Sequence, residues 1–302
     1  MKIYTLTLSP AIDVHAEADS LKLNKENLLK LTSREAGGKG INISRALFSY
    51  GVRNTPIILL GEENAEDYMR MLDKEKFSPV TVKADGRIRE NVTVHTGGSE
   101  TRLSFEGFCA PRDLFSTLRS LINISHGDIL TFTGRLPKGA SADEAKEFLS
   151  DMKEMGAKLV IDSNSLTLSD INDISPWLIK PNAEEISKYS GREINSADEA
   201  MREALLIFRA GTENVIVSLG KTGAVLACRE GNYYVKAPKI SLASTIGAGD
   251  SMIAGFISGY ADGLSKRDCL LRAVAFGSSA CETQGSNPPR REAIERLLSS
   301  LS

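Results

Sequence analysis

From about Gly127 onward, short apolar runs alternate with amphipathic stretches, and this alternation restricts the fold more than any other feature of the chain. Asp128 to Thr133 is followed by a helical pattern near Ser141 to Met155, then by Lys158 to Asp162. The rhythm continues through Trp177 to Lys180, a helix near Ser196 to Ala210, and Val215 to Leu219, and ends in a helix after Gly249 and another near Lys266 to Thr283. Strands and helices in this βαβ rhythm build a parallel sheet, because each parallel connection needs a crossover that a helix supplies. The reading is therefore an α/β fold with a mostly parallel central sheet. Ligands in such sheets sit at the carboxyl ends of the strands.

Two stretches, about residues 14–34 and 86–107, differ in texture. Arg89 to His95 and Thr101 to Phe105 alternate polar and apolar residues around Gly97-Gly98, the pattern of a hairpin. These strands read as a small separate sheet. No repeat or linker divides the 302 residues, so the expectation is one domain, 1–302, with that sheet inserted into it.

Lys and Arg total 37 against 39 Asp and Glu, and a net charge of −2 gives no field to gather nucleic acid or an anionic membrane. No apolar run approaches the ~20 residues of a membrane span, and Lys2 to Leu8 reads as a strand rather than a signal peptide. Cys109, Cys228, Cys269 and Cys281 form no CxxC pair. On one helix Cys269 and Cys281 would lie roughly 18 Å apart, too far to bridge. A reducing cytoplasm fits this pattern best. His15, His95 and His126 stand at no metal or triad spacing.

Three loop-to-helix junctions carry the chemistry. Thr245-Ile246-Gly247-Ala248-Gly249-Asp250-Ser251 precedes Met252, Ile253, Phe256, Ile257 and Tyr260, spaced as one buried helical face. Small residues at a helix N-terminus let backbone N–H groups converge on an anion, and Asp250 stands where it can take a proton from an attacking hydroxyl. A plain glycine-rich turn with Asp250 as a dipole partner is the simpler alternative. Ala36-Gly37-Gly38-Lys39-Gly40 opens a second helix, and Gly51 stands where its C-terminal cap would fall. Lys39 at a helix start opposes the dipole, a conflict that an anionic ligand would resolve. The GxxxxGK[ST] spacing of a Walker A loop is absent.

Lys180-Pro181-Asn182-Ala183-Glu184-Glu185 ends a strand and opens a third helix. Asn182 and Glu185 have the spacing of a capping box, and equally of an outer shell for hydrated magnesium. Val215 to Gly220, followed by Thr222-Gly223-Ala224, is a strand and tight turn that suits either a plain turn or a nucleotide's phosphates and ribose. Arg87, Arg89 and Arg135 are candidates for a bidentate grip on a phosphate, or are simply solvated.

The order of Ala36 to Gly40, Lys180 to Glu185 and Thr245 to Asp250 resembles the PfkB sugar-kinase family, with its ribokinase-like three-layer α/β/α fold, over essentially the whole chain. The resemblance implies that Asp250 is the catalytic base and that Gly247, Ala248 and Gly249 form the anion hole. Ser9-Pro10-Ala11-Ile12-Asp13 resembles the opening of the branch that acts on sugar phosphates. Asp13, Gly37, Gly38, Lys39, Asn42, Arg89 and Arg135 would then face the sugar phosphate. Lys180, Asn182, Ser218, Gly220, Gly223 and Thr245 would face ATP, and Glu185 would hold Mg2+ through water. A role for a monovalent cation is left open. The resemblance also implies a homodimer formed through the small sheet, which would act as a lid.

Arg89 with Asn91-Val92, and Leu103 to Phe108, look most like the branch that phosphorylates fructose 1-phosphate to fructose 1,6-bisphosphate. Kinases of tagatose 6-phosphate or fructose 6-phosphate are the alternatives, and a catalytically silent sensor of nucleotide or sugar phosphate is the non-enzyme alternative. Ser9 stands where the branch has Asn, and Arg135 where relatives often have Ser. The second departure either changes the sugar phosphate or adds a phosphate contact. No GxGxxG follows the first strand, which argues against a dinucleotide enzyme.

Overall fold

Alternate residues along the central strands belong to two different apolar cores. In the computed structural model, which describes residues 1–73 and 78–301, Tyr4, Leu6, Leu130, Phe132, Leu159 and Ile161 pack on one side of the sheet. Ile3, Ile129 and Val160 pack on the other. Strands with both faces covered are apolar at most positions, so these segments read as near-continuous runs broken by the buried Thr5, Thr7, Thr131 and Thr133.

The strands are β1 (Ile3–Thr7), β2 (Ala11–Glu17), β3 (Lys30–Gly37), β4 (Thr55–Gly61), β5 (Val80–Ala84), β6 (Arg89–Thr96), β7 (Ser99–Ser104), β8 (Ile129–Thr133), β9 (Lys158–Asp162), β10 (Leu178–Ile179), β11 (Asn214–Ser218), β12 (Gly223–Cys228) and β13 (Gly231–Lys236). The helices are α1 (Lys39–Ser49), α2 (Ala65–Asp73), α3 (Leu114–Leu121), α4 (Ala142–Glu154), α5 (Leu168–Ile174), α6 (Ala183–Ser190), α7 (Ala197–Arg209), α8 (Ala248–Ala261), α9 (Lys266–Ala280) and α10 (Arg291–Leu301). The large sheet runs β13-β12-β11-β10-β9-β8-β1-β4-β5. It is parallel from β11 to β5, with β12 and β13 antiparallel at one edge.

Helices α3 to α7 contribute to the core on one face, and α1, α8, α9 and α10 to the core on the other. Chain order reverses at β1, which pairs with β4 on one side and β8 on the other. That switch point opens a crevice at the carboxyl ends of the strands. Helices α4, α5 and α6 begin at capping boxes on Ser141, Thr167 and Asn182. These caps satisfy backbone N–H groups that the first helical turn leaves unpaired.

The second sheet has the order β3-β2-β6-β7. Its first strand pair extends beyond residues 14–34, because Ala11 is paired with Gly37 at the far end of the ladder. The Gly97-Gly98 hairpin between β6 and β7 is present as expected.

One expectation needs correction. Helix α8 has no single buried face, since every residue from Asp250 to Gly259 is buried. It is enclosed by the sheet core, α1 and α9, so sidedness never develops. The four cysteines are all free.

Candidate active site

The two helices that meet at the crevice both start on glycine. Gly38 precedes α1 with φ 138° and Gly247 precedes α8 with φ 73°, and neither helix has a side-chain cap. Residues other than glycine rarely adopt these angles. The uncapped N-terminus of α8 leaves backbone donors and the positive end of the helix dipole for an anion. Gly247 stands at the cap position, and Ala248 and Gly249 open the first turn. A side chain at Gly249 would press on Lys180 Nζ, 3.1 Å from the position its Cβ would take, so the loop lies against that ammonium.

Asp250 is buried in the first turn of α8. Its Oδ2 accepts from Asn42 Nδ2 on α1 at 2.8 Å. Burial pushes its carboxyl up to about 6, with the nearby Asp162 adding to the rise, while Lys39, the Asn42 hydrogen bond and Lys180 oppose it. A carboxylate that is poised near neutrality and ionised above it is suited to general-base work.

Lys39 Nζ donates to Asp162 Oδ2 at 3.0 Å, and Lys180 Nζ lies 4.0 Å from the same oxygen. The conflict between Lys39 and the helix dipole is thus met inside the protein, by a carboxylate at the end of β9, without a ligand. Burial favours the neutral form of Asp162, yet Lys180 and Lys39 hold it below the ordinary carboxylate range. Burial likewise works against the charge on Lys39, and the attraction of Asp162 and Asp250 overcomes it and raises its pKa. Asp162 is the main residue that sequence reasoning passed over. Its one signal was an acid closing an apolar parallel strand, where sheet ligands bind.

A second group of candidate residues stands on the second sheet. Asp13 Oδ1 accepts from Asn91 Nδ2 at 2.7 Å and from Arg102 Nη2 at 3.3 Å. The Arg89 guanidinium is half-buried, and its pKa is lowered by burial and by Arg135, with Asp13 opposing and Arg102 contributing. Arg102 pairs with Asp13, Arg89 Nη1 donates to Asn91 Oδ1 at 3.2 Å, and Arg89 feels the charges of both Arg135 and Arg102, an excess of positive charge that suits a phosphate. Arg102 was not anticipated. Arg87, by contrast, turns to Glu90 at 3.3 Å and stays largely exposed. His15 Nδ1 and His95 Nε2 lie 3.2 Å apart within this sheet.

Asn182 caps α6, and its neighbour Pro181 receives the Ser218 N–H at 3.0 Å, so the third junction and the end of β11 are adjacent. Gly220 begins the turn after β11, and Gly223 closes it where a Cβ would overlap the Val235 carbonyl of β13. Gly223 therefore has a packing role in the β12–β13 pairing. Thr245 lies in the loop before α8.

A cavity of about 270 Å³ is lined by Asp162, Ser163, Asn164, Asn182 and Glu185. Its donors are hard oxygens, and the cap uses Glu185 Oε2 while Oε1 is not part of it. No cluster of three or more ligating side chains occurs among the described residues. One or two carboxylates with room for water fit magnesium, which keeps much of its hydration shell.

A family model described as pfkB family carbohydrate kinase matches residues 6–293. The chain belongs to this family. It is 31% identical over 282 residues to 1-phosphofructokinase of Haemophilus influenzae, covering 92% of this chain and 90% of that protein. The structure of phosphofructokinase-2 from Escherichia coli in complex with substrates and products aligns with a TM-score of 0.93 at 29% identity, over 100% of this chain and 99% of the other. Ribokinase from Thermotoga maritima aligns with a TM-score of 0.78 at 19% identity, over 99% of both chains, and so shares the fold. The PfkB chain described here thus has the ribokinase-like architecture expected from its motifs. No helix among its described residues is long and apolar enough to cross a membrane.

Proposed function

We propose that this PfkB-family enzyme transfers the γ-phosphoryl group of ATP to the free primary hydroxyl of fructose 1-phosphate, giving fructose 1,6-bisphosphate and ADP. The observation that carries the reading is Asp250, buried, with its pKa pushed up to about 6, at the uncapped start of α8. There it would take the proton of the attacking hydroxyl, while the amides of Gly247 to Asp250 would steady the charge on the transferring group. Asp13, with Gly37, Gly38, Lys39 and Asn42, would orient the sugar, and Arg89, Arg102 and Arg135 would hold the phosphate it already carries. Lys180, Asn182, Ser218, Gly220 and Thr245 would line the nucleotide side. Magnesium, held through water by Glu185, would neutralise the nucleotide phosphates when bound.

The name borne by the Haemophilus influenzae relative supports fructose 1-phosphate as the acceptor. The second sheet is proposed as a lid over the sugar, excluding water that would compete as acceptor. Its outer strands β3 and β7 have unpaired edges, and Leu31, Leu103 and Phe105 are exposed there, which supports pairing with a second copy in a homodimer. The cytoplasm is the proposed compartment.

ADP release should be measured with ATP and magnesium across fructose 1-phosphate, fructose 6-phosphate, tagatose 6-phosphate and unphosphorylated sugars. Highest kcat/KM with fructose 1-phosphate is expected, and preference for a free sugar would overturn the phosphate-gripping role of the arginines. Asp250→Asn should lower turnover by about 10²–10⁴ with ATP binding kept.

A further inference from the structure

Arg45 is buried on α1, three residues after Asn42, and is not part of the site described above. Its Nη1 donates to Asn42 Oδ1 at 3.2 Å, while Asn42 Nδ2 donates to Asp250 Oδ2 at 2.8 Å. A guanidinium can only donate, whereas a side-chain amide has one face that donates and one that accepts. With Arg45 in place, the accepting face of Asn42 is taken, and only the donating face is left for Asp250. We infer that Arg45 is a positioning residue for phosphoryl transfer, fixing the orientation of the Asn42 amide so that Asp250 receives a hydrogen bond in its ionised form.

The reverse orientation carries a specific chemical cost. If the amide turned over, Asn42 Oδ1 would face the carboxylate oxygen, and contact would return only when Asp250 took up a proton and became a donor. A protonated Asp250 cannot accept the hydroxyl proton, so the flipped amide stores the site in an inactive state. The other charged groups acting on Asp250 are Lys39 on α1, Asp162 at the end of β9 and Lys180 after β10. Arg45 reaches Asp250 through Asn42, to whose Oδ1 it donates. Helical spacing enforces the coupling, since residues three apart on α1 are neighbours on its surface.

The inference rests on Asp250 as the base, and the test separates the two ideas. The Asp250 carboxyl should be titrated by 13C NMR in the substrate-free protein, with its signal assigned by its loss in Asp250→Asn. In Arg45→Met the midpoint should rise by about one pH unit, and kcat/KM at pH 6 should fall about fivefold, a deficit that shrinks as pH rises. Arg45→Lys, which keeps a donor, should restore most of both. In an Asn42→Ala background, Arg45→Met should add no further shift. If Arg45→Met does not fold, Arg45→Gln, whose own amide can present either face, takes its place in each comparison. An unchanged Asp250 midpoint, or an equal shift in the Asn42→Ala background, would overturn the role of Arg45. Full turnover in Asp250→Asn would instead remove the base, and the titration would still read the orientation of Asn42.

Discussion

Lys39 Nζ stands 3.0 Å from Oδ2 of Asp162, joining the first turn of α1 to the end of β9. The pair lies beside Asp250, whose carboxyl is raised by burial and by Asp162 and lowered by Lys39. With Asp250 and Lys180 the pair makes a cluster of two carboxylates and two ammonium groups. Its near balance lets acids and bases coexist in a buried crevice, because each charge is stabilised by an opposite neighbour.

The activity of the free enzyme should follow the ionisation of Asp250. Its folded-state value, about 6, lies above the ordinary 3.8, so the base is protonated below pH 6 and ionised above it. The kcat/KM profile should therefore rise with pH through about 6 and flatten toward neutrality. The sign for stability is opposite: the native state holds its proton longer than the unfolded chain, so this group's contribution falls as pH rises from about 4 to about 6. A flat kcat/KM between pH 5 and pH 7 would contradict the assignment.

Asp162→Asn should reduce stability and shift that profile together. Removing the carboxylate takes from the buried Lys180 and from Lys39 the partner they share, a loss on the order of 3–5 kcal/mol for a broken buried pair, measured by urea unfolding. Asp162 also raises the Asp250 pKa, so the acid limb of kcat/KM should move below pH 6. Stability loss with an unmoved limb would show that the two carboxylates do not sense each other.

Arg89→Ala should weaken the sugar phosphate far more than the nucleotide. A lost charge-assisted hydrogen bond is worth about 1.5–3 kcal/mol, or roughly 10–150-fold in KM for the acceptor. KM for ATP should stay within about threefold. Steady-state kinetics with each substrate varied in turn would decide, and equal losses would place Arg89 elsewhere.

Gly37→Ala tests the acceptor side by steric means. A Cβ at this position would overlap Asp13 Oδ2, on a carboxylate whose Oδ1 is held by Asn91 and Arg102. Displacing that carboxylate should raise KM for the sugar phosphate by about tenfold or more while ATP binding is retained, as isothermal titration with the nucleotide would show. Unchanged acceptor KM would mean that Asp13 does not touch the sugar.

Much of the fold was legible because its signals are local. The strand from Lys158 to Asp162 matches β9, and the Asn182–Glu185 capping box opens α6. The Gly97-Gly98 turn likewise announced its hairpin. The burial of α8 was not legible, since Met252 to Tyr260 has the same spacing whether one face or all faces are covered. In the candidate site, the place of Asp250 and the glycines at a helix start was legible, and the structure puts them there. Arg102 looked like any solvated residue of an alternating strand, and Asp162 like the polar end of a core strand.

Local chemistry in the chain was enough to determine which segments become strands and helices, where those helices begin, and which acid stands at a glycine-rich turn. Only the tertiary structure decided the partners of those groups. Lys39 meets Asp162 across 123 residues, and Asn42 meets Asp250 across 208. Coulomb forces and burial depend on distance in space, so the protonation of Asp250 exists only once β9, β10, α1 and α8 have converged.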